Sequence, residues 1–151
     1  MTMQTFVVLF LGLAFGFKIG LVTVSLYLFE GIFGLPVFAN SPEKGIGLIY
    51  FTGPTMGYLI GFLVAVYFAG IFKNLFNLIN DKGLNLLIIF FWLTFSVSFI
   101  YILGLLWLGY LIGWDKPIFE LGAQPFLLAE LFKITLLTVL YTWIKKINKI
   151  I

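Results

Sequence analysis

The sequence contains no cysteine, no histidine and no arginine. Without cysteine there are no disulfides and no thiolate nucleophile, and without cysteine and histidine the usual zinc sites are excluded. The missing histidine also removes the commonest general acid–base residue. The missing arginine removes the bidentate clamp for phosphate. No GxxxxGK[ST] stretch occurs, so the chain is not expected to bind ATP through a P-loop. Charge is scarce: 10% of the 151 residues are Asp, Glu, Lys or Arg, where a soluble domain usually carries about 25%. That fraction is too small to cover a globule with polar surface.

What is present is apolar. Hydrophobic residues make up 62% of the chain and aromatic residues 20%. A bilayer-spanning helix needs about 20 apolar residues, and lipid admits only helices or closed barrels because each backbone polar group must be satisfied internally. The expectation is an all-α, polytopic membrane helix bundle, one domain over 1–151, with five transmembrane segments. Residues 5–17 form a short first run, interrupted at Lys18 and Gly20, and a second run, 21–35, follows at once. These read as two short helices joined by a tight turn. Residues 53–72 make a full span. Residues 73–83 form a polar, partly amphipathic link. The run 84–112 exceeds one perpendicular span, so it is either a tilted helix or one that bends near Gly104. A loop over 113–124 leads to the last run, 125–144, which opens on Pro125, a residue tolerated in a first helical turn. No run followed by a small-residue cleavage site marks a secretory signal peptide.

The lysines give the orientation. Lys18, Lys73, Lys82, Lys145, Lys146 and Lys149 fall on one side of the alternating segments, and Lys44 and Lys116 on the other. By the positive-inside rule the first side is cytoplasmic. The net charge of +3 therefore reads as topology rather than nucleic-acid binding. The C-terminus is expected inside, with the loops 36–52 and 113–124 outside. Five segments then put the N-terminus outside, which leads to the expectation of a further, missing first helix.

The stretch from Gly34 to Phe62 is punctuated unlike any other. Pro36, Pro42, Pro54, the Glu43–Lys44 pair and several glycines sit between two membrane-type runs. Irregular backbone at such a place is tolerated where it is buried in protein or lines a cavity. Two small-residue stripes recur every four positions: Gly12, Gly16, Gly20, and Gly57, Gly61, Ala65, Ala69. Such stripes let helices approach closely, either within the chain or against a partner. Glu130 and Lys133, three apart, share a helix face. Charged groups at such depth usually face a bundle interior or cavity, so they are either a self-satisfied ion pair or a polar clamp for a small ligand. Glu30 either lines the same cavity or snorkels to the rim. Of the outer aromatics, Phe38 and Tyr58 are expected to face inward, because neighbouring prolines and glycines fix their directions.

These residues resemble the BioY family, the biotin-binding S-components of energy-coupling factor (ECF) transporters. The resemblance is carried by Met3-Gln4-Thr5, Tyr27-Leu28, Gly34-Leu35-Pro36-Val37-Phe38, Ser41 to Leu48, Gly53-Pro54-Thr55, Gly57-Tyr58-Leu59 and Pro125-Phe126-Leu127 with Lys133. Three departures stand out: the family's first of six helices is absent, Glu130 stands where the family usually has Asp, and Met56 replaces a usual glycine. The resemblance implies biotin uptake from the external side of a bacterial inner (plasma) membrane. It implies Glu130 and Lys133 as ligand contacts, with Phe38, Pro36, Thr55, Tyr58 and Phe126 completing the substrate site. It also implies a transmembrane coupling subunit and an ATPase pair as partners, with membrane lipid around them and no nucleic acid. Biotin would be the transported ligand, and no cofactor is implied. An enzyme would need a nucleophile–base pair or metal ligands that the chain does not offer. The alternative is a structural or assembly protein that packs through its glycine stripes.

Overall fold

The computed structural model describes residues 2–39, 41, 43, 45–75 and 82–147. Among these residues the structure is helical: α1 (Gln4–Phe15), α2 (Phe17–Ile32), α3 (Leu48–Phe51), α4 (Met56–Leu75), α5 (Lys82–Ile112), α6 (Ile118–Gly122) and α7 (Gln124–Ile147). The five longer helices match the five apolar runs. Of them, α5 and α7 contain stretches long and apolar enough to cross a membrane unaided, Asn85–Ile112 and Gln124–Tyr141, while Gln4–Phe15 and Met56–Ile71 are shorter apolar helices.

The break between the first two helices lies at Gly16, earlier than expected. Gly16 has φ 84° and ψ 172°, a backbone conformation that costs glycine little. Its N–H closes the end of α1 on the Gly12 carbonyl and its own carbonyl receives the Gly20 N–H. Lys18 therefore sits exposed in the first turn of α2 rather than in the turn. Gly20 is helical and serves close packing: a Cβ there would stand 2.7 Å from the Val66 side chain.

Helix α4 is the hub, packed on α1, α2 and α5. The reason is its small-residue stripe. At Gly57 a Cβ would meet the Leu103 carbonyl and Trp107, and at Gly61 the Ile100 backbone. Ala65 and Ala69 are fully buried. Gly12 of α1 lies against Val66 and Ala69. Both stripes thus face this chain's own helices, and the reading in which they form a surface for a partner loses its basis. The Trp92 indole N–H adds a bond from α5 to the Phe68 carbonyl of α4 at 2.9 Å.

Leu9, Leu13, Val66, Ile89, Leu93 and Leu137 centre the apolar core. Outward faces are equally apolar, with Leu26, Phe29, Phe33, Phe91, Leu128 and Phe132 exposed, as a hydrocarbon solvent requires. Helix α5 runs 31 residues without interruption, so the long run is one helix. Gly104, the position where a bend was the alternative, lies within the helix beneath the Tyr58 ring. The expected link at 73–83 lies largely outside the described residues, while α4 continues to Leu75 and α5 begins at Lys82.

Side-chain bonds place the two loops at one end of the bundle. The Tyr58 hydroxyl, in the first turn of α4, donates to the Gly122 carbonyl at 2.8 Å. The Trp107 indole, near the end of α5, donates to the Gly53 carbonyl at 2.9 Å. At the opposite end, the Gly16–Phe17 turn packs on Gly70.

Candidate ligand-binding site

Helix α7 carries Glu130 and Lys133 one turn apart, and both are more than nine-tenths buried. Their partner comes from the first turn of α1. Lys133 Nζ donates to Glu130 Oε1 at 2.7 Å and to Thr5 Oγ1 at 2.8 Å. The Thr5 hydroxyl in turn donates to Glu130 Oε1 at 2.9 Å. The three polar atoms form a closed triangle. Glu130 Oε2 is buried and has no hydrogen-bond partner. The Tyr101 hydroxyl of α5 faces the Glu130 carboxylate within hydrogen-bonding reach, and the Tyr101 ring meets the Tyr58 ring edge-on at 6.1 Å.

A buried acceptor without a partner costs about 1–3 kcal/mol, and more when charged. The ammonium has three donors and uses two. The pair therefore offers an acceptor oxygen and a spare N–H, both away from bulk water. This is more than a self-satisfied ion pair needs.

A second cluster closes the same region under the rim loop. Phe38 is buried, stacked on Tyr50 at 4.7 Å, with Tyr27 and Phe51 edge-on at 5.3 and 5.4 Å. The ring lies over Gly31, where any Cβ would collide with it. Tyrosine hydroxyls hold the loop backbone on either side of Phe38: Tyr27 donates to the Val37 carbonyl and Tyr50 to the Ala39 carbonyl. Gln4 donates to the Tyr27 hydroxyl. Gln4 and Thr5 are consecutive, so the first turn of α1 joins the rim cluster to the charged triangle.

The expected site residues divide accordingly. Glu130 and Lys133 come together and are buried, and Phe38 faces inward as expected. Tyr58 is half-buried and turned toward α5 and α6. Thr55 starts α4, its carbonyl receiving the N–H groups of Tyr58 and Leu59. Pro36 and Phe126 are exposed and are not gathered into either cluster. Glu30 is exposed too, which resolves its two readings in favour of the rim. Thr5, Gln4, Tyr27 and Tyr101 were not anticipated as site residues. Met3-Gln4-Thr5 was visible as a motif, but nothing in the sequence says that it faces position 130. An apolar groove of about 280 Å³ between α4 and α5, lined by Gly57, Ile60, Leu103, Leu106, Trp107 and Tyr110, contains none of the charged groups.

Residues 1–149 match the profile of the BioY family. The chain belongs to the BioY family. Among curated relatives, the probable biotin transporter BioY of Pyrococcus horikoshii is 32% identical over 133 residues, covering 88% of this chain and 72% of the relative. The biotin transporter BioY of Thermotoga maritima is 31% identical over 151 residues, covering 97% of this chain and 81% of the relative. A crystal structure of the S-component for biotin from an ECF-type ABC transporter superposes with a TM-score of 0.78 at 25% identity, covering 97% of this chain and 75% of that one. The helical architecture is thus that of a BioY S-component, a transport rather than an enzyme fold family. As a family member the chain is a membrane protein.

Proposed function

We propose that this BioY-family chain is the membrane-embedded biotin-binding S-component of an ECF-type transporter. The observation that carries the reading is the orphaned, buried Glu130 Oε2 beside the incompletely used Lys133 ammonium. The ureido ring of biotin presents N–H donors next to a carbonyl acceptor. Glu130 Oε2 accepts one N–H, and the spare Lys133 N–H donates to the carbonyl. Phe38 and Tyr58 supply aromatic walls for the thiophane ring and chain, in the manner of mostly apolar ligand sites with few polar anchors. Pro36, Thr55 and Phe126 belong to the rim through which the ligand enters.

The binding face is external, the C-terminus is cytoplasmic, and the membrane is the inner (plasma) membrane, crossed several times. The lysine distribution supports this orientation. Lipid contacts the exposed leucine and phenylalanine faces, and nucleic acid is not a partner. Lacking a P-loop, the chain takes its energy from a separate ATPase pair through a transmembrane coupling subunit. The decisive test is purification in detergent followed by mass spectrometry of co-purifying small molecules and calorimetric titration with biotin. Saturable binding at one site is expected. No binding by folded protein would refute the assignment.

A further inference from the structure

Thr5 closes the charged triangle, and its hydroxyl is used differently from those of five other serines and threonines among the described residues. Thr23, Thr94, Ser96, Thr135 and Thr138 each donate to the carbonyl four residues earlier in their own helix. That back-bond spends the hydroxyl's one proton within its own helix, so it cannot donate to a neighbour. Thr5 is the second residue of α1, which begins at Gln4. Its proton goes across to Glu130 of α7 instead.

The consequence follows from counting acceptors. A carboxylate has two oxygens with about four lone-pair sites. Glu130 Oε1 takes two bonds, from Lys133 and Thr5; Oε2 makes no hydrogen bond of ordinary geometry, and the Tyr101 hydroxyl of α5 is the one other side-chain donor facing the carboxylate among the described residues. The last torsion of a glutamate is broad and roughly two-fold, so an ion pair alone leaves the two oxygens exchangeable and lets the ammonium straddle both. A hydroxyl on another helix, on a β-branched side chain with few χ1 choices, breaks that equivalence. It fixes Oε1 by donating to it and fixes the ammonium by accepting from it.

We infer that Thr5 is a positioning residue for ligand recognition: by holding Oε1 and the Lys133 ammonium together it reserves Oε2 as the acceptor for one ligand N–H. This rests on the biotin reading of the site. The hydroxyl does not touch the ligand; it determines which carboxylate oxygen is free and where the spare Lys133 proton points.

The test compares wild type, Thr5→Val and Thr5→Ser in detergent by calorimetric titration with biotin and with each of the two biotins methylated on a single ureido nitrogen, alongside thermal unfolding. Wild type is expected to prefer biotin over the analogue whose methyl blocks the recognised N–H. Thr5→Val keeps shape but loses the hydroxyl. It should bind biotin about tenfold more weakly, the lower end for a hydrogen bond to a charged group, and its preference for biotin over that analogue should shrink by a similar factor. Thr5→Ser should restore both. If Thr5→Val weakens biotin and the analogues by one common factor, or leaves all affinities unchanged, Thr5 is only helix–helix glue and the inference fails. Should Thr5→Val not fold, Thr5→Ala removes the same hydroxyl without filling the space, and the same comparison decides. Wild type that binds no biotin overturns the biotin assignment itself, a result read before any variant is made.

Discussion

Thr5 and Lys133 are 128 positions apart in the chain, and their polar atoms meet at 2.8 Å in the interior. That contact joins the first turn of α1 to α7 and orders the one buried ion pair among the described residues. It also makes the charged pair testable by mutation.

Glu130→Gln removes the charge that accepts a ureido N–H, and Lys133→Met deletes the donor while keeping much of the stem. Each should weaken biotin binding by about 1.5–3 kcal/mol, the range for hydrogen bonds to charged groups, or roughly tenfold to hundredfold. Each single change also strands a buried charge and should lower the unfolding temperature, whereas the double variant should regain stability. A stable double variant with unimpaired biotin affinity would show the pair to be structural only.

The rim cluster should behave as a unit. Phe38→Ala empties a site among Tyr27, Tyr50 and Phe51 and should cost about 3 kcal/mol or more of stability, the low end for truncating a buried Phe. Gly31→Ala should mimic it by pushing the Phe38 ring away. Limited proteolysis reports the result: both variants should be cut faster between residues 34 and 52 than wild type. Unchanged cleavage would mean that Phe38 does not hold the loop.

Close approach of α4 and α5 depends on Gly61. A Cβ there would stand 2.6 Å from the Ile100 Cα, and backbone cannot yield as a side-chain tip can. Gly61→Ala should destabilise by about 1–3 kcal/mol, the usual penalty for overpacking. Thermal unfolding in detergent measures it, and an unaltered midpoint would contradict the packing described above.

The absence of cysteine makes orientation directly measurable. Ser41→Cys in the rim loop should react with a membrane-impermeant maleimide added to intact cells, and Lys18→Cys at the far end should react only after permeabilisation. Equal labelling of both from outside would overturn the topology.

Helix number and type were readable in the sequence because each bilayer-spanning segment needs its own long apolar run, and that requirement is local. The small-residue stripes were equally plain, since their four-residue spacing is helical geometry written into the chain. The Glu130–Lys133 pair was legible for the same reason, being one turn apart. The partner of the stripes was not: whether Gly57 and Gly61 meet α5 or another protein depends on how helices pack, and the chain order does not state it. The helix break was misplaced because Lys18 and Gly20 look like interruptions, whereas the positive φ is adopted at Gly16 and Gly20 is needed for proximity to Val66. Thr5 shows the limit most clearly. Its hydroxyl bonds across to Glu130, a partner chosen only when α1 docks beside α7. The sequence by itself determined an apolar bundle with a charged pair on its last helix. Tertiary packing alone decided which hydroxyl closes that pair and which carboxylate oxygen is left open, because a buried polar group takes its partner from whatever helix the core brings within 3 Å.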